Sequence, residues 1–113
     1  MHDDALLVLC TAPDEEVAAR LARGLVDARL AACVNVIPGL RSFYRWKGAV
    51  AEDAELQLLI KTRRARLPAL REWIAAHHPY EVPELLALAI EGGGAAYLAW
   101  LFEQVDPGGE ASA

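Results

Sequence analysis

Cys33-Val34-Asn35-Val36-Ile37, Ser42-Phe43-Tyr44-Arg45-Trp46-Lys47-Gly48 and Glu55-Leu56-Gln57-Leu58-Leu59-Ile60 follow one another along a stretch, Ala32 to Thr62, that has no helical period. β-Branched and aromatic residues dominate the first two segments, and the apolar residues of all three suit strands rather than helix. Lys47-Gly48 is the expected tight turn, so the stretch forms one long hairpin. Pro38-Gly39 interrupts the first arm and predicts a bulge or bend there, because neither residue suits a central paired position. At about 3.3 Å per residue the first arm reaches roughly 45 Å, whereas an ordinary six-residue strand spans only about 20 Å. A hairpin of that length overhangs its own domain and leaves Phe43, Tyr44 and Trp46 on an exposed ribbon. Such a ribbon is normally covered by pairing with another chain, which predicts a strand-mediated homo-oligomer; the competing expectation is a ribbon folded back on its own sheet.

On the N-terminal side, Leu6-Leu7-Val8-Leu9-Cys10-Thr11 is a short apolar run expected to be a buried central strand. Pro13 followed by Asp14, Glu15 and Glu16 marks a helix start, since proline fits the first turn and acids meet the positive end of the helix dipole. Val17, Leu21, Leu25 and Ala28 then form the apolar face of a helix to about Leu30, with Gly24 inside it expected where the helix closely approaches the sheet. On the C-terminal side, Pro68 opens a second helix carrying Leu67, Leu70, Trp73, Ile74 and His77 near one face. A fourth strand follows at Leu85 to Ile90, and after Gly92-Gly93-Gly94 a third helix spans Ala95 to Val105. The order strand, helix, strand, strand, helix, strand predicts an α+β, ferredoxin-like split βαβ fold. Its antiparallel sheet has helices on one face, and a long β2–β3 hairpin and an extra C-terminal helix are added. Residues 1–105 are expected to form this single domain and 106–113 a disordered tail.

The chain of 113 residues is 55% hydrophobic, enough for one buried core. Its net charge of −5 argues against nucleic-acid or anionic-membrane binding, which require a positive surface. The run Ala5 to Cys10 is too short for a membrane span or a signal segment, so a cytoplasmic location is expected. In that reducing setting Cys10 and Cys33 are expected to be free thiols. The predicted topology also puts the two cysteines at opposite ends of the sheet, roughly 20 Å apart, too far for a bridge.

The same topology brings three points to one end: Cys10 at the end of strand one, His77 at the end of the second helix and Glu84 before strand four. Between the last two lies His77-His78-Pro79-Tyr80-Glu81-Val82-Pro83-Glu84, whose prolines stop the helix near His78 and make a stiff corner. A thiol, an imidazole and a carboxylate are a candidate site for a copper or zinc ion. Bland roles compete with this: a cysteine as a small core hydrophobe, a helix-end histidine stabilised by the dipole, a surface glutamate. Within the corner, His78 is expected to face solvent, and Tyr80 and Glu81 to lie at a subunit boundary. Lys61, Arg63, Arg64 and Arg66 form a basic cluster before the second helix, expected to be a solvated corner rather than an anion site.

Cys10-Thr11-Ala12-Pro13-Asp14-Glu15, Ala31-Ala32-Cys33-Val34-Asn35-Val36-Ile37-Pro38-Gly39, Tyr44 to Gly48, Ile60-Lys61-Thr62-Arg63 and His77 to Glu84 together resemble the CutA divalent-cation tolerance family, in order, from about Leu6 to Val105. The resemblance implies a ferredoxin-like homotrimer, similar in fold to the PII signalling proteins, interlocked through the long hairpin. It also implies a role in tolerance of copper and other divalent ions, with a copper site falling on Cys10, His77 and Glu84. Many members lack a cysteine at the position of Cys10. A second function class is a regulatory or scaffold trimer binding a small ligand or a partner protein between subunits, near Tyr44, Trp46, Lys61, Arg63 and Tyr80. An enzyme is not expected, because the chain contains no Ser-His-Asp order, phosphate-cradling loop or HExxH spacing.

Overall fold

The computed structural model describes residues 4–106. The expected disordered tail lies, apart from Asp106, outside the described residues. The elements run β1 (Ala5–Ala12), α1 (Glu15–Asp27), β2 (Cys33–Trp46), β3 (Ala49–Arg63), a single 3-10 turn at Arg64–Arg66, α2 (Leu67–His77), β4 (Leu86–Ala89) and α3 (Ala95–Gln104). All pairings are antiparallel and the sheet order is β2-β3-β1-β4, the ferredoxin-like arrangement expected from the sequence.

Each boundary has a local cause. Asp14 caps α1, its Oδ1 accepting from the Val17 N–H at 2.8 Å, with Glu15 and Glu16 in the first turn. α1 stops at Asp27, because Arg29 takes a left-handed φ of 59°. Pro68 occupies the first turn of α2. Lys47 and Gly48, with φ of 52° and 84°, make the two-residue turn of the hairpin. At Pro38-Gly39 the register shifts between Ile37 and Leu40, with Gly39 at φ 84°, so the predicted interruption is a bulge inside a continuous strand.

The core lies between one sheet face and α1 plus α2. Leu6, Val8, Cys10, Leu58 and Ile60 meet Leu21 and Leu25 of α1 and Leu70 and Ile74 of α2. Each fully buried leucine or isoleucine contributes about 1.5–3 kcal/mol. Ala18, rather than Ala28, completes the buried stripe of α1. Gly24 approaches α2 and not the sheet: a methyl group there would lie 2.4 Å from Cζ2 of Trp73.

The opposite sheet face is different. Cross-strand pairing puts Leu7, Leu9, Leu59, Leu86 and Leu88 on this face, with Ile37 toward the β2 edge. α3 covers only one end of it, where the Lys61 ammonium sits over the Tyr97 ring and the Arg63 guanidinium over the Phe102 ring. The extra helix therefore lies across the sheet from α1 and α2. It leaves Leu86 57%, Leu88 46% and Ile37 47% exposed.

The last β1–β3 pair is Ala12 with Leu56, whereas β2 and β3 continue alone from Leu40–Glu55 to Trp46–Ala49. This free ribbon is the overhang expected from strand length. It does not fold back, and the molecule is 48 Å long against 26 and 25 Å in the other directions.

Candidate functional site

The ribbon base, the end of β1 and the His-Pro corner meet at one end of the molecule, as the topology requires. Pro79 forces His78 out of the helix into extended backbone, at φ −81° and ψ 138°. Its side chain therefore turns away from that of His77 and back over β1. His78 Nε2 lies 2.7 Å from the Thr11 carbonyl, and its Nδ1 accepts from the Tyr80 N–H at 3.1 Å. Since Nδ1 accepts, the ring proton sits on Nε2 and donates to Thr11, and both nitrogens are used. The expectation of a solvent-facing His78 is thus overturned: it is 7% exposed and clamps the corner to the sheet.

His77 remains outside. Its ring stacks on Trp73 with centroids 3.9 Å apart, and Nδ1 lies 2.8 Å from the Trp73 carbonyl. A carbonyl can only accept, so Nδ1 carries a proton, and in the neutral ring Nε2 keeps its lone pair. This is the tautomer of a histidine that ligates through Nε2 while a backbone carbonyl orients the ring.

Cys10 is fully buried on the core face, where its S–H reaches the Thr11 carbonyl at 3.7 Å. Burial first, and the nearby Glu84 carboxylate second, push its thiol up from an ordinary 9.0 to about 12. Glu55 adds to the same effect. At neutral pH Cys10 is therefore a thiol and no activated nucleophile. Cys33 is also free. Glu84 is exposed, two residues before Leu86, which pairs with Leu9. The structure thus brings Cys10 and Glu84 within electrostatic reach and puts His78, rather than His77, on the carbonyl that Cys10 contacts. Among the described residues no three His, Cys, Asp or Glu side chains are close enough to share a metal ion.

A cleft of about 580 Å³ lies between ribbon and corner, walled by Tyr44, Trp46 and Tyr80 and edged by Asp53, Glu55 and Glu84. Tyr80 donates to Glu55 at 2.7 Å and Tyr44 donates to Asp53. Tyr80 is raised in pKa by burial and then by its bond to Glu55; Tyr44 is raised chiefly by its bond to Asp53. Through its bond to Glu55, Tyr80 is anchored to β3 of its own chain. Glu55 went unread in the sequence, where it is only the polar start of a strand; alternation with Leu56 and Leu58 is the signal that turns it to the open face.

The basic cluster is structural. Arg63 donates to the Phe102 carbonyl, Arg66 to the Arg29 carbonyl, and Arg64 pairs with Asp4 at 3.2 Å. Three of the four basic side chains are thus tied to their own chain, where a solvated corner was expected.

Residues 6–104 match the family described as CutA1 divalent ion tolerance protein. The chain is 56% identical over 97 residues to a divalent-cation tolerance protein CutA of Thermus thermophilus, covering 86% of this chain and 94% of that one. It is 48% identical to the protein CutA 1, chloroplastic, of Oryza sativa, covering 86% of this chain and 55% of that longer one. The crystal structure of CutA from Xylella fastidiosa superposes with a TM-score of 0.89 at 41% identity, covering 91% of this chain and 99% of that one. In sequence and in fold alike, the chain belongs to the CutA1 divalent ion tolerance family.

Proposed function

We propose that the protein is a cytoplasmic homotrimer that binds copper and takes part in tolerance of divalent cations, zinc among them, without catalysing a reaction. The observation that carries the metal assignment is the His77 ring, whose Nδ1 is committed to the Trp73 carbonyl and whose Nε2 lone pair is left to a ligand. Glu84 supplies negative charge at the same end and Cys10 a soft donor. The three close on the ion when it arrives, and the thiol gives up its proton to become a ligand. The trimer is supported by the overhanging ribbon and the apolar open face of the sheet. The cytoplasmic assignment is supported by two unpaired cysteines. No helix among the described residues is long and apolar enough to cross a membrane.

Calorimetric titration with a copper salt in two buffers of different ionisation heat tests this reading. One ion is expected per chain, with release of about one proton on binding. Cys10→Ser and His77→Ala should each weaken binding by about tenfold or more. Unchanged affinity in both variants refutes the assignment of the site.

The second reading, a PII-like regulatory or scaffold trimer that binds a small ligand, is favoured by the cleft beside Tyr44, Trp46 and Tyr80. A volume of this size suits a small organic molecule.

A further inference from the structure

His77 is placed by Trp73 twice over. The Trp73 carbonyl, one helical turn back, accepts from Nδ1 at 2.8 Å, and the Trp73 indole lies against the imidazole face with centroids 3.9 Å apart and planes 16° from parallel. The first contact selects the tautomer and the second the side-chain direction, since a ring that rotates off the indole loses the carbonyl as well. His77 is exposed, so burial forces neither contact on it. In a free histidine side chain the neutral ring favours the proton on Nε2. The structure holds the other form, with the proton on Nδ1 and the Nε2 lone pair facing away from the helix carbonyl.

Trp73 is itself held from the other side. It is half-buried, and the edge of its indole fills the notch at Gly24 of α1, where an added methyl would overlap Cζ2 and Cη2 of the ring. One turn earlier on α1, Arg20 donates to the His77 carbonyl at 3.1 Å and so satisfies an orphan acceptor at the end of α2. α1 therefore fixes both the indole and the backbone that carries the imidazole. All four residues belong to α1 and α2, across the sheet from its open face, so an oligomer that covers that face leaves this arrangement in place.

We propose that Trp73 is a positioning residue for metal binding: seated in the Gly24 notch, its indole keeps His77 in the tautomer and direction that present Nε2 to a metal ion before the ion arrives. The inference rests on the first reading above, that His77 ligates a metal, and adds what prepares that ligand.

Nitrogen-15 NMR of the histidine rings tests it on the intact protein without metal, at about pH 8.5, where an ordinary histidine is neutral. His77, identified by the signals that vanish in His77→Ala, should carry its proton on Nδ1. In Trp73→Leu the proton should move toward Nε2, and copper affinity read by calorimetry should fall about tenfold or more. Trp73→Phe keeps an aromatic face for the imidazole, so it should keep the Nδ1 proton and bind copper within about twofold of the native protein. An Nε2 proton at His77 in the native protein overturns the proposal. So does a Trp73→Leu protein that keeps either the native tautomer or the native affinity, or a Trp73→Phe protein that loses as much as Trp73→Leu. Native copper affinity in His77→Ala overturns the metal reading and the proposal together, whereas loss of affinity there with none in Trp73→Leu overturns the proposal alone.

Discussion

The Thr11 carbonyl collects two donors, the Cys10 thiol and the His78 ring, and so joins the end of β1 to the corner after α2. Of the two adjacent histidines, the one that sequence order assigns to a metal is solvent-exposed and the one assigned to solvent is buried. Both facts follow from Pro79. Helical periodicity continues through His77, while the proline rotates His78 out of that pattern. The rotation was legible as a helix stop, but its direction depended on the open carbonyl of Thr11, which only the assembled sheet supplies. Cys10 makes a prediction at this scale. Its folded pKa, about 12, lies above the ordinary 9.0, so the unfolded chain loses the thiol proton first as pH rises. The stabilisation from a buried neutral thiol is therefore complete below pH 9 and lost progressively toward pH 12. Between pH 9 and about 10.5 the native protein should lose about 2 kcal/mol more stability than Cys10→Ala, read by urea denaturation across that range. Parallel loss in the two proteins would contradict this burial of the thiol.

Among the elements, α1 and α2 pack through a notch at Gly24 into which the Trp73 ring fits. Gly24→Ala gains about 1 kcal/mol of helix propensity but drives a methyl into the ring, an overlap that costs about 1–3 kcal/mol. Net destabilisation of up to about 2 kcal/mol is expected by thermal or chemical denaturation, and adding Trp73→Leu should relieve it. Gain of stability in the single variant would show that the notch is slack. The glycine was legible as a site of close approach, but not its partner, because helix–helix contacts depend on crossing geometry that no local pattern records. The hairpin was more legible. Its length, its turn at Lys47-Gly48 and its interruption at Pro38-Gly39 are all local properties, and all three recur in the structure.

At the scale of the whole molecule, the ribbon and the open sheet face make the same demand. Leu7, Leu9, Leu59, Leu86 and Leu88 form an apolar face across three strands that α3 covers only at one end. An exposed face of this kind on a small chain calls for a partner surface. Strand alternation could not reveal it: β1 and β4 are apolar on both sides, and a continuous run does not say which side its own helices cover. A homotrimer that buries these leucines, and brings three metal sites into one assembly, is the central claim. Native mass spectrometry tests it most directly, because one spectrum gives subunit number and bound metal together. The predicted spectrum is a single species of about three times the 12.3 kDa chain mass. It should gain one copper per chain when copper is supplied, and Leu88→Glu should split it into monomers. A monomer at micromolar concentration, or a trimer that takes up no copper, would contradict the account.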